Sequence, residues 1–326
     1  MRRFLLSALK IAISATLLYV ALRKTDFSAL AARLSLQSIG WLALAMAIAL
    51  FQIALAAIRW QMISGACEAP LTTRRALRYY MIGSFFNQTL PSSIGGDAVR
   101  LWLVGRGPAG WRAATYSIFV DRAIGLIALA VLIFVCLPWS FALISDPQAR
   151  AALTLIDIIA LAAGAAFLIL GLLPRWSDRW RLLHHLQSCA AKANAVLFNP
   201  GRSVSILVLS FSIHLINAVI AWCAARSIAA PVSFWELVLL VPPIMLLTTL
   251  PISIAGWGLR ETTVGVAFGY AGLSSSEGIN VSLLFGAVVF IVGCMGGLVW
   301  IGSAEKAAKG EKPIEVPDAD VPPLPI

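Results

Sequence analysis

The chain has 326 residues, of which 60% are hydrophobic and only 12% charged, with a mean hydropathy of +0.88. That is more apolar surface than one soluble core buries, which excludes a soluble globular enzyme and implies a polytopic membrane protein. The net charge of +10 comes from bases in short loops between apolar runs, with no nucleic-acid-binding motif, so it reads as a topology signal whose partner is anionic membrane lipid rather than nucleic acid.

Crossing about 30 Å of hydrocarbon takes roughly 20 helical residues. Segments near 4–22, 39–58, 114–137, 152–173, 203–224 and 281–301 meet that length, which predicts about six full spans in an all-α fold. The first follows Met1, Arg2 and Arg3, contains Lys10 and lacks a small-x-small cleavage site, so it is taken as a retained helix rather than a signal peptide. Residues 76–104 and 235–272 fail the length test. Each is split into pieces of roughly 10 to 15 residues and is predicted as a helix–break–helix hairpin.

Residues 175–198 combine Trp176, Trp180, Leu182, Leu183 and Leu186 with a basic face, as an interfacial helix does, a solvated linker being the alternative. After a membrane domain over 1–302, residues 303–326 are charged and proline-rich and are predicted to be a disordered cytoplasmic tail. Cys67, Cys136, Cys189, Cys223 and Cys294 are scattered without metal-ligand spacing, so they read as packing residues, and no metal or cofactor is expected.

With both termini in the cytoplasm, the basic loops at 59–78, 105–113 and 174–202 and the tail fall inside, as the positive-inside rule requires. The outer loops at 138–151, 225–234 and 273–280 carry few bases, while Arg23, Lys24 and Arg33 in the first outer loop are the exception. The two hairpins then enter from opposite faces, as an inverted repeat.

The breaks carry nearly the same phrase, T-L-P-S-S-I-G-G-D-A-V-R at 89–100 and T-L-P-I-S-I-A-G-W-G-L-R at 249–260. Corresponding Gly/Pro-broken segments in two halves point to a transport site. Pro91 and Pro251 remove a backbone donor and serve as hinges, while Gly95, Gly96, Gly256 and Gly258 permit tight turns. The helix that follows each break presents N-terminal amides that favour an anion.

Asp97 and Arg100 follow the first break, Arg260 and Glu261 the second, and Asp121 and Arg122 sit inside the next span. Such charges are costly against lipid and are expected in a shared interior cluster where three acids balance three bases, a structural ion-pair network being the alternative, as is an interfacial, snorkelling place for Asp121 and Arg122. Adjacent helical positions point about 100° apart, so Asp121 and Arg122 need separate partners. Asn87 is placed to cap the first break. His214 and Asn217 share a helix face, with His214 a candidate proton relay and simple hydrogen bonding its alternative.

The sequences F-F-N-Q-T-L-P-S-S-I-G-G-D-A-V-R, V-D-R-A-I-G-L and L-P-I-S-I-A-G-W-G-L-R-E, in this order, resemble the lysylphosphatidylglycerol synthase transmembrane family, flippase-like integral membrane proteins, over nearly the whole chain to about residue 302. The resemblance implies a multi-pass protein of the bacterial inner membrane that handles lipid. It also implies as site positions Asn87, Pro91, Gly95, Gly96, Asp97, Arg100, Asp121, Arg122, Pro251, Gly256, Gly258, Arg260 and Glu261. No soluble aminoacyl-transferring domain follows the last span in this sequence, so lysylation of lipid is not implied.

The preferred expectation is a lipid translocator with a midplane polar cavity between the breaks, in which Arg100 and Arg260 bind the headgroup and Asp97 and Glu261 hold those arginines between cycles. No nucleotide-binding loop occurs in the sequence, so a gradient or potential is expected to drive it. An integral-membrane transferase using Asp97 or Glu261 as general base is the alternative, and a membrane subunit partnering a lipid-synthesis enzyme is a third. A homo-oligomer is compatible with all three.

Overall fold

Backbone exposed to lipid must satisfy its own hydrogen bonds, so apolar runs of this length fold as helices. The structure is a computed structural model and describes residues 33–90, 95–174, 181–249 and 256–303, with Thr16 and Tyr19 placed singly. Among the described residues are ten α-helices and no strand. They are α1 (Leu36–Ala66), α2 (Thr73–Thr89), α3 (Gly95–Gly105), α4 (Gly110–Leu143), α5 (Pro147–Leu170), α6 (Arg181–Leu197), α7 (Ser203–Ser227), α8 (Phe234–Thr248), α9 (Leu259–Tyr270) and α10 (Ser275–Gly302).

Five of these, α1, α4, α5, α7 and α10, are long and apolar enough to cross a membrane. The chain is therefore an all-helical polytopic membrane protein. The predicted span at 4–22, apart from Thr16 and Tyr19, the hinges Pro91 and Pro251, residues 175–180 of the predicted interfacial segment and the tail from 304 onward lie outside the described residues.

Local chemistry sets the helix ends. Ser35 and Ser38 form a capping box on α1, and Ser233 with Glu236 forms one on α8. Asp146 accepts from Ala149 N–H and is followed by Pro147, whose missing donor costs nothing in a first turn. The apolar run expected to stop at residue 58 continues as helix to Ala66. Arg59, placed in a cytoplasmic loop by its charge, is thus a helical residue, and it is buried.

The helices form two sets of four with the same long–short–short–long order, α1–α4 and α7–α10, with α5 and α6 between them. The packing is reciprocal: α1 lies on α7, α10 of the second set on α2 of the first, and α4 of the first on α8 of the second. Small residues permit the central approach, Ala45, Ala49, Ala218, Ala221 and Ala224 all being buried there.

α1 and α7 run antiparallel. Ser38 Oγ donates to Ser227 O at 2.5 Å, Gln52 Nε2 to Ile213 O at 2.7 Å, and Arg59 to Ser210 Oγ at 3.2 Å. Chain order then fixes the rest: the α2–α3 hairpin opens from the end of the bundle where α1 finishes, and the α8–α9 hairpin opens from the other end. The two sets have opposite sense.

α6 lies at the first of these ends. Lys192 Nζ reaches Glu68 at 2.8 Å, and the Tyr116 hydroxyl meets His185 Nδ1 at 2.7 Å while accepting from Arg112 Nε at 3.0 Å. With Cys189, Ala190, Ala193 and Val196 buried, this part of the predicted segment is a docked helix and not a solvated linker.

Candidate functional site

Described residues flanking both breaks come against the middle of α10. A Cβ on Gly293 would lie 3.0 Å from the Gln88 side chain near the end of α2, and one on Gly286 would lie 2.9 Å from Trp257 just before α9. Seven helical positions separate those glycines, about 10 Å along the axis. Glycine therefore lets two half-length hairpins, entering from opposite ends, meet near the bundle centre.

At the first tip, Asn87 Oδ1 accepts the Gly96 N–H at 2.8 Å and so closes α2 onto the start of α3. A side chain on Gly96 would collide with Asn87, at 2.7 Å, and with the Gly83 carbonyl. The close approach carries Asp97 and Arg100 inward. Arg100 donates to Asp97 Oδ1 at 3.1 Å and to Asp121 Oδ2 at 3.4 Å, and its guanidinium lies 4.1 Å from the Trp60 ring centroid and 4.4 Å from that of Tyr80. Two aromatic faces replace water around a cation whose side chain is 2% exposed.

Asp121 and Arg122, adjacent on α4, turn to different partners. Asp121 Oδ1 accepts from Arg59 Nε at 3.0 Å, whereas Arg122 holds Asp97 through Nε at 2.6 Å and Nη2 at 2.9 Å. Three arginines therefore meet two aspartates, leaving one positive charge in excess. Arg122 is the accessible member, with 48% of its side chain exposed. Among the described residues, the Nε of Arg100 has no hydrogen-bond partner.

The second tip is built differently. Gly256 and Gly258 have φ of +79° and +81°, where a β-carbon is strained, so glycine is required at both turns into α9. Glu261 Oε2 accepts the Gly258 N–H at 2.7 Å, and Oε1 accepts Arg260 Nη2 at 2.5 Å and the Ser282 hydroxyl at 3.2 Å. An internal carboxylate already occupies this helix N-terminus, and the pair is neutral. The cavity bordering Arg260 is only 20 Å³, about the room of one water.

The six charged positions expected in one cluster therefore form two. Among the described residues no ion pair joins Asp97, Arg100, Asp121 and Arg122 to Arg260 and Glu261. The balance of three acids and three bases also changes, because Arg59 enters the first cluster.

His214 Nε2 meets the Gly125 carbonyl at 2.9 Å, a contact in which the ring N–H donates, and Asn217 donates to Ile213 O of its own helix at 3.3 Å. Neither touches the cluster carboxylates. Arg59, Trp60, Tyr80, Ser210 and Ser282 were not singled out from the sequence. The one signal for Arg59 was that apolar residues resume beyond it at Met62 and Ile63.

The family model for the lysylphosphatidylglycerol synthase TM region matches residues 7–297. The chain belongs to that family. Membership makes it a multi-pass membrane protein connected with lipid metabolism, and both charged hairpin tips fall inside the matched residues. No curated protein matches the chain.

Proposed function

We propose that this protein carries a lipid with an anionic headgroup between the leaflets of the bacterial inner membrane, the two hairpins being re-entrant and both termini cytoplasmic. The observation that carries the reading is the excess positive charge beside the α2–α3 break among the described residues, with the Arg122 side chain exposed and paired with Asp97. A phosphate competes for such a guanidinium because charge-assisted, bidentate pairing suits both anions. As the phosphate takes Arg122, Asp97 is left to Arg100, and the hairpin is free to shift relative to α4.

The second tip supports the same division of labour in the opposite sense. Its anion site is filled from within by Glu261, so it stays shut until Arg260 is drawn away. Asp97 and Glu261 are both occupied by donors, an arrangement suited to exchanging ion pairs rather than to abstracting a substrate proton.

The test uses purified protein in liposomes that contain head-labelled phosphatidylglycerol or phosphatidylcholine. Wild type is expected to move the anionic lipid faster. Losing a charge-assisted hydrogen bond of about 1.5–3 kcal/mol lowers transport of the anionic lipid by about tenfold to a hundredfold in Arg122→Gln. Equal rates for both lipids, or an Arg122→Gln variant as fast as wild type, overturn the reading.

A further inference from the structure

Among the described residues, one buried acid lies outside both clusters. α5 turns most of its surface outward, and its one fully buried residue is Asp157. Among the described residues, neither carboxylate oxygen of Asp157 has a hydrogen-bond partner. The residue lines a cavity of 220 Å³ whose opposite wall is the second hairpin: Leu240, Pro243 and Leu247 from α8, and Thr263, Val266 and Tyr270 from α9. Counting from Pro147 at 1.5 Å per residue, Asp157 is about 15 Å along α5, the depth of the bilayer centre.

Among the described residues, no element packed against α5 offers Asp157 a cation. α4 contributes Ile133 to the lining, and Tyr270 is the other titratable group there. Thr263 spends its hydroxyl proton on Leu259 O, Glu236 is held in the α8 cap, Arg260 and Glu261 face each other, and Arg150 on α5 donates to Ile144 O. On α6, which packs against α5, Lys192 pairs with Glu68 and His185 with Tyr116. An ionised carboxylate in these surroundings has nothing to repay its lost hydration, so the enclosed form of the side chain is the neutral acid.

We propose that Asp157 is a proton-binding site that couples movement of the α8–α9 hairpin to the transmembrane proton gradient. For the transport step this rests on the translocator reading above. For the protonation itself it does not.

Pro242 and Pro243 lie inside α8, Pro243 lining the cavity, and each removes a backbone donor where a helix bends readily. When the hairpin moves off α5, water enters, the O–H bond of Asp157 breaks and the proton passes to water on the open side. Closure requires the carboxylate to take a proton back, and when that proton comes from the opposite side, one proton crosses per cycle.

Dicyclohexylcarbodiimide reacts with protonated carboxylic acids in apolar surroundings, the acid proton going to a carbodiimide nitrogen and the acid oxygen bonding its central carbon. The full-length protein in liposomes is treated with this reagent between about pH 5.5 and about pH 8.5. Its peptides are weighed, and lipid movement is followed in parallel with a pH gradient on and off.

Asp157 is expected to gain the reagent mass, less so as pH rises. A one-unit gradient shifts the wild-type lipid distribution by up to about tenfold for one proton per lipid, while Asp157→Asn ignores the gradient. Absence of label on Asp157, or an equal gradient response in Asp157→Asn, overturns the proposal. If no lipid moves under any condition while Asp157 still labels with pH dependence, the translocator reading fails and the proton site stands.

Discussion

Arg59→Met tests the structural half of the first cluster. Methionine refills most of the arginine stem but removes both guanidinium contacts to Asp121 Oδ1, at 3.0 Å each, and the one to Ser210. The pair is buried, with side chains 6% and 1% exposed, and breaking such a pair costs about 3–5 kcal/mol. Asp121 keeps Arg100 at 3.4 Å, which puts Arg59→Met at about 3 kcal/mol. Asp121→Asn leaves Arg59 and Arg100 facing each other with Asp97 as the remaining carboxylate, so it belongs at about 5 kcal/mol.

In the double variant neither orphan charge remains. Its loss is expected to fall short of the summed single losses by about 2 kcal/mol. At about 2 °C per kcal/mol, the single variants lower the unfolding midpoint by roughly 6 °C and 10 °C. Tryptophan fluorescence of the detergent-solubilised protein, heated at one fixed scan rate, reads these shifts even where unfolding is irreversible. Unchanged midpoints, or strict additivity in the double variant, refute the idea that this ion network ties α1 to α4.

Gly96→Ala forces a Cβ against Asn87 and the Gly83 carbonyl, so the first hairpin has to open at a cost of about 1–3 kcal/mol. Gly65→Ala meets nothing within 4 Å and is expected within about 0.5 kcal/mol of wild type. Equal midpoints for the two variants count against the close approach. Where α6 meets α4, partial burial, then Arg112 and His184, hold the His185 pKa below the ordinary imidazole value. A depressed value in the fold means that this contribution is complete above about pH 6.5 and is lost as pH falls below it. The unfolding midpoint should therefore drop between about pH 7.5 and about pH 5.5, and an undiminished drop in His185→Gln contradicts the assignment.

Much of the fold was legible because hydrocarbon imposes a length rule. The five spans from 39–58 onward and both broken segments appear as helices close to their predicted places, and the repeated phrase marks where α3 and α9 begin. The end of α1 was misplaced because a charge was read as the end of a helix. Arg59 broke the apolar run, yet α1 continues past it because Asp121 and Ser210, distant in sequence, supply its partners. Asp157 was passed over in the other direction, as one acid in an otherwise apolar span whose lack of partners only the packed structure reveals.

Sequence by itself determined the solvent this chain lives in, the order of its described long helices, and the two interruptions where glycine and proline cluster. Those properties are local, set by hydropathy over a bilayer's thickness and by backbone conformations only glycine adopts without strain. Tertiary structure decided the pairing. It divided six charges into two clusters, brought Arg59 into one of them, filled the second helix N-terminus with Glu261 and left Asp157 alone against an apolar cavity. An ion pair depends on distance and dielectric at a point in space, and residues as far apart in the chain as Arg59 and Asp121 acquire both only when their helices pack.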